Sequence, residues 1–149
     1  MSARFLLPLA TLVVLTFTSC ATYEQKWNQA VADYEAGRVS APAGPWISTW
    51  ETKTNGHTGD LRAIVSPSKK NPGEYDFHYH ATWARIFSGA YKVSFPVKKQ
   101  GGRYIANGEK SLGLFGTFGH KATITCDSFR ATYSSKKGDL GDFDMTRPD

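Results

Sequence analysis

From Trp46 onward, apolar side chains recur at every second position through most of the chain, and that period decides what it can fold into. It is plainest where Tyr75, Phe77, Tyr79, Ala81 and Trp83 alternate with Asp76, His78, His80 and Thr82. Successive side chains of a strand point to opposite faces, so the segment predicts a β-strand buried on one side and solvated on the other. The period returns in Trp46, Ser48 and Trp50, in Leu61, Ala63 and Val65, and in Tyr91, Val93, Phe95 and Val97. Pro96 interrupts the last of these without a backbone donor, which predicts a sheet edge or a bulge. Tyr104, Ala106 and Gly108 continue the pattern, followed by strands over 112–118, 122–126 and 129–133 and a last one with Phe143 and Met145. Between them lie turn residues such as Asn55-Gly56-His57-Thr58-Gly59, Gln100-Gly101-Gly102 and Lys137-Gly138-Asp139. A flat antiparallel sheet of this length would expose two edges and one apolar face, so it must close on itself. The expectation is an all-β domain over 46–149, an up-and-down antiparallel barrel of about eight strands.

Ahead of the barrel the period is helical. Tyr23, Trp27, Ala30, Val31 and Tyr34 fall on one face, Thr22 with Gln25 matches a capping box, and Gly37 is placed to stop the helix. An amphipathic helix is therefore expected over 20–37, with a Pro- and Gly-containing linker over 38–45. The helix has a net charge of −2, which favours packing against the barrel over lying on a membrane surface. Residues 38–149 hold 16 basic and 10 acidic side chains, a net of +6 that suits acidic partners such as envelope polymers or anionic lipid.

The first nineteen residues contain one charge, Arg4, then an apolar stretch from Phe5 to Phe17 that is too short to span a bilayer. They read as a signal peptide. Phe17-Thr18-Ser19-Cys20 resembles the bacterial lipobox, with Phe17 where leucine is usual. That resemblance implies a lipidated Cys20 as the first residue of a membrane-anchored envelope protein, at the outer membrane where the cell has one. The competing reading takes Ser19 and Ala21 as an ordinary secretory cleavage site, which would leave a soluble exported protein.

A helix followed by Gly44-Pro45-Trp46 at the first strand of a small meander resembles the lipocalin and avidin barrels, in which such a tryptophan plugs one end. The wider pattern, from Trp46 and Trp50 to the closing Asp142-Phe143-Asp144-Met145-Thr146-Arg147, resembles other exported bacterial barrels. Neither the biotin-binding residues of avidins nor the later lipocalin motifs can be recognised, so no ligand follows from the resemblance.

Chemistry-bearing motifs are sparse. There is no Gly-x-Ser-x-Gly, His-Glu-x-x-His or Cys-x-x-Cys, and Gly113, Gly116 and Gly119 are not followed by the Lys-Ser or Lys-Thr of a phosphate loop. Asp76, His78 and His80 share a strand face, which reads as a solvated polar face rather than a metal site. His57 and His120 fall in expected turns, and Cys126 reads as a small buried hydrophobe. The expectation is a non-enzymatic binding module with no cofactor and no nucleic-acid partner. Its large inward residues predict a filled barrel, or at most a shallow apolar pocket at one mouth lined by Trp50, Tyr79, Trp83 and Tyr104. An envelope protein partner is the other reading. Some small β-barrel lipoproteins of similar size inhibit lysozymes, but those enzymes are commonly basic and would be repelled by this domain.

Overall fold

The computed structural model describes residues 17–149 apart from 53–55, 57, 84–86, 112–115 and 139. It comprises one helix, α1 (Phe17–Glu35), and eight strands: β1 (Gly44–Thr52), β2 (Thr58–Pro67), β3 (Glu74–Trp83), β4 (Phe87–Gln100), β5 (Arg103–Ser111), β6 (Thr117–Ile124), β7 (Ser128–Ser135) and β8 (Leu140–Thr146). Each strand pairs antiparallel with the next, and β1 pairs with β8 to close the barrel. The all-β up-and-down expectation is met, strand count included.

Several local expectations are corrected. Of the strands expected over 112–118 and 122–126, residues 112–115 lie outside the described residues, and 117–124 form the one strand β6, because the period of Ala122 and Ile124 runs back through His120 and Phe118. Gly44 and Pro45 belong to β1 rather than to the linker. In a closed barrel Pro96 is not at an edge. It pairs with Glu74 on β3, and β4 begins to pair with β5 only at the next residue, Val97, opposite Ala106. The proline thus sits where β4 changes partner, a place where its missing donor is not needed. Cys126 is exposed in the turn after β6, where its carbonyl accepts from Arg147 Nε at 3.3 Å.

Helix α1 starts at Phe17, so Thr22 lies within it rather than at its cap. Its C-terminus is as expected: Gly37 takes a left-handed φ of 66°, its N–H donates to the Tyr34 carbonyl, and Arg38 N–H donates to Asp33. The buried side of the helix is built on Tyr23 and Trp27. Tyr23 stacks on His80, meets His78 edge-on, both with ring centroids at 4.8 Å, and donates to the His78 carbonyl. Arg62 on β2 lies over the Tyr23 and Trp27 rings and pairs with Glu24. The outer face of β3 is consequently not fully solvated: Tyr23 of the helix covers part of His78 and His80, and Asp76 is held by Lys92 and Ser94 of β4. Among the described residues no group of His, Cys, Asp or Glu is placed to hold a metal, and no helix is long and apolar enough to cross a membrane.

The core fills the end of the barrel where β1 begins. Trp46 is fully buried, donates from Nε1 to the Pro42 carbonyl at 3.1 Å, and meets Phe129 edge-on. Arg147, just beyond β8, lies 3.6 Å over the indole and 4.6 Å from the Tyr34 ring, and donates to the carbonyls of Pro45 and Ala43. Phe77, Val65, Ile124 and Met145 complete the plug, with Ala63, Ala106, Ala122 and Ala131 making room for the large rings.

Candidate functional site

The opposite end of the barrel is not filled. A cavity of about 310 Å³ opens there, bounded by Trp50, Leu61 and Ala81 on one side and by Tyr91, Phe118 and Tyr133 on the other. Tyr79, Phe95, His120 and Phe143 line it more deeply, and Lys110 stands at its edge. The expectation of a barrel filled throughout therefore holds for the Trp46 end alone.

Register explains why space remains. Three of the wall aromatics are laid over a neighbouring glycine: Trp50 over Gly59, Phe95 over Gly108 and Tyr133 over Gly141. A β-carbon at any of these glycines would collide with the ring across from it. Rings that fold sideways onto glycine lie along the wall instead of projecting into the lumen. Trp50 is held there by a hydrogen bond from Nε1 to the Thr82 carbonyl at 3.0 Å, which spans β2 and reaches β3.

Polar chemistry in the cavity is confined to a few groups. Tyr79 and His120 are both buried and joined by a 3.0 Å contact between the hydroxyl and Nε2. Tyr79 has no other hydrogen-bond partner among the described residues, and which of the two groups donates depends on which imidazole nitrogen carries the proton. Nδ1 itself has no partner. Burial among the rings holds the His120 pKa down at about 4, so the ring is neutral at neutral pH, and it stacks on Phe95 at 4.8 Å and 6°. Desolvation likewise pushes the Tyr79 hydroxyl well above its ordinary value. Neither group is ionised near pH 7, which keeps the inner cavity uncharged.

Of the residues expected from sequence to line a pocket, Trp50 and Tyr79 do so. Tyr104 does not. It lies near the start of β5, at the filled end, with Lys99 Nζ 5.6 Å above its ring. Trp83 closes β3 opposite Phe87, and its side chain lies outside the described residues, as do His57, Gly113 and Phe115. The strand period also assigns His120 differently from the expected turn: it is on the inward face of β6, opposite Gly108. Sequence reasoning misses it because Gly116 and Gly119 suggest a turn just before it, although Ala122 and Ile124 share its parity.

No protein-family model and no curated protein matches the chain. Among solved structures, a redesigned β-barrel aligns with TM-score 0.54 and 14% identity over 72% of this chain and 91% of its own. A redesigned β-barrel bound to DFHBI aligns with TM-score 0.51 and 17% identity over 70% of this chain and 94% of its own. At such identities the likeness is one of fold.

Proposed function

We propose that this chain is a non-enzymatic binding module of the bacterial cell envelope, anchored to a membrane by a lipid on Cys20, that takes one small apolar ligand into the mouth of its barrel. The observation that carries this reading is the 310 Å³ aromatic-walled cavity, which is open at one end and closed by the Trp46 plug at the other. Clefts of this size with apolar walls and few polar groups are the usual form of a small-molecule site. The redesigned barrel bound to DFHBI offers a parallel for ligand binding by such a scaffold.

The ligand half of the proposal is tested with N-phenylnaphthylamine, a neutral dye that fluoresces in apolar surroundings. The chain should enhance its emission at one site per molecule. Ala81→Phe, which places a ring in the cavity, should weaken binding at least about tenfold, the scale expected when apolar burial is lost. Native mass spectrometry of protein from its own host should show a co-purifying small molecule. Dye binding undiminished by Ala81→Phe would remove the cavity from the account.

The anchor rests on the lipobox resemblance. Helix α1 runs from Cys20 past Tyr23, docked against His78 and His80 at the level of the cavity, to Tyr34 beside the plug. A lipid on Cys20 would thus join the barrel from its mouth side, where a membrane-derived ligand would enter. Membrane fractionation is expected to place the wild-type chain with the lipid, and Cys20→Ser should release it or stall it as an uncut precursor. A wild-type chain recovered from the soluble fraction with Thr22 as its first residue would refute lipidation.

A further inference from the structure

We infer that the ligand of this mouth is a flat aromatic anion, with its rings between the walls and its negative group at the rim against the Lys110 ammonium. The inference rests on the mouth cavity being the ligand site and says which class of molecule that site selects.

Lys110 stands out by its position in the strand. On β5, Tyr104, Ala106, Gly108 and Lys110 share the parity that faces the lumen, and Lys110 pairs with Phe118 at the mouth. A lysine is a costly choice for a lumen-facing position unless its stem lies along apolar wall and its ammonium reaches water or an anion. It is the sole charged side chain among the described residues lining the cavity, since His120 is neutral. No described carboxylate pairs with it. Glu109 and Asp142 alternate with inward-facing neighbours and lie outside the lumen, so they do not neutralise the rim from within.

The walls select the rest of the ligand. Trp50, Phe118 and Tyr133 present rings to one space, and flat aromatic surfaces stack on such rings more favourably than branched chains fill the space between them. His120 lies two residues deeper on β6 than Phe118, about 7 Å along the strand, which leaves depth for one or two fused rings below the ammonium. A fully buried negative charge would be rejected, because His120 is neutral and ionising Tyr79 would only add a second negative charge. The anion is therefore directed outward.

The test uses two dyes with the same rings, anilinonaphthalene sulfonate and neutral N-phenylnaphthylamine, titrated against the released form of the Cys20→Ser chain so that neither detergent nor the apolar leader is present. The sulfonate should bind more tightly, and its advantage should shrink as salt is raised. Lys110→Gln should reduce sulfonate affinity about fivefold, the scale of a rim ion pair, and leave the neutral dye unchanged. Lys110→Arg should retain the preference. Lys69→Gln, which removes the same charge from the β2–β3 turn at the plugged end, should have no effect. Equal losses from Lys110→Gln and Lys69→Gln, or a neutral dye bound as tightly as the sulfonate at every salt concentration, would overturn the inference and leave the cavity in place. Failure of both dyes to bind would overturn the ligand site itself.

Discussion

Trp46→Ala is expected to cost about 3–5 kcal/mol of folding stability. The indole is completely buried and closes one end of the lumen against Phe129. Truncation leaves a void beneath Arg147, strips the guanidinium of its ring at 3.6 Å, and removes the donor to the Pro42 carbonyl. Trp46→Phe should lose much less, because it retains most of the volume and forfeits mainly the hydrogen bond, worth about 1 kcal/mol. Arg147→Met should fall between them, since the methylene stem still covers the indole while its bonds to the Ala43 and Pro45 carbonyls are lost. Urea melts followed by far-UV circular dichroism would measure all three. A Trp46→Ala chain within about 1 kcal/mol of the wild type would mean that the plug does not hold this end of the barrel together.

Acidification should destabilise the protein by about 3 kcal/mol between neutral pH and pH 4, through His120. Its pKa is held at about 4 in the native barrel against an ordinary 6.5. Above 6.5 neither the folded nor the unfolded chain carries the proton, and stability does not depend on this group. As the pH falls from 6.5 to about 4, the unfolded chain takes up a proton that the buried ring refuses, so stability declines throughout that window and levels off below it. His78 and His80 are also lowered, chiefly by burial under α1, with Lys26 and Lys92 adding to the effect at His78 and Arg62 at His80. They steepen the curve in the same direction. The paired variant Tyr79→Phe/His120→Phe isolates the interior contribution, because it removes both partners of one hydrogen bond together with the unpaired Nδ1. Its stability at pH 7 should be close to the wild type or above it, and the difference should widen in its favour as the pH drops toward 4. Parallel stability curves for the two proteins would show that His120 is not the titrating group.

Much of this architecture could be read from the chain. The alternation of Tyr75 to Trp83, and of Leu61 to Val65, is set by the two-residue repeat of the extended backbone, and closure followed from the number of such segments. The Schellman end of α1 at Gly37 was equally legible, because it rests on residues adjacent in sequence, whereas the plug at Trp46 was expected only from the resemblance to lipocalin and avidin barrels. Of the candidate ligand residues, Trp50 and Tyr79 were found because large inward aromatics are conspicuous, whereas Tyr104 has the same inward parity and stands at the wrong end. Parity tells which way a side chain points and says nothing of its height in the barrel.

Height is a tertiary property. Each strand of a barrel is staggered against its neighbours, so two inward residues meet only if the register of every intervening pair brings them to one level. That stagger laid Trp50, Phe95 and Tyr133 flat on Gly59, Gly108 and Gly141 and left the mouth open, while stacking Trp46, Phe77 and Phe129 at the other end. It brought His120 beside Tyr79, forty-one residues away, and so made a buried neutral histidine of a residue whose glycine neighbours suggest a turn. Docking of α1 had a similar effect outside, covering the face of His78 and His80 that alternation alone marks as solvated. Local sequence determined strands, their facing and the closed sheet, because those depend on a period of two. Only the tertiary structure decided which end is filled, where the cavity lies and which polar groups are buried, because those depend on register summed around eight strands.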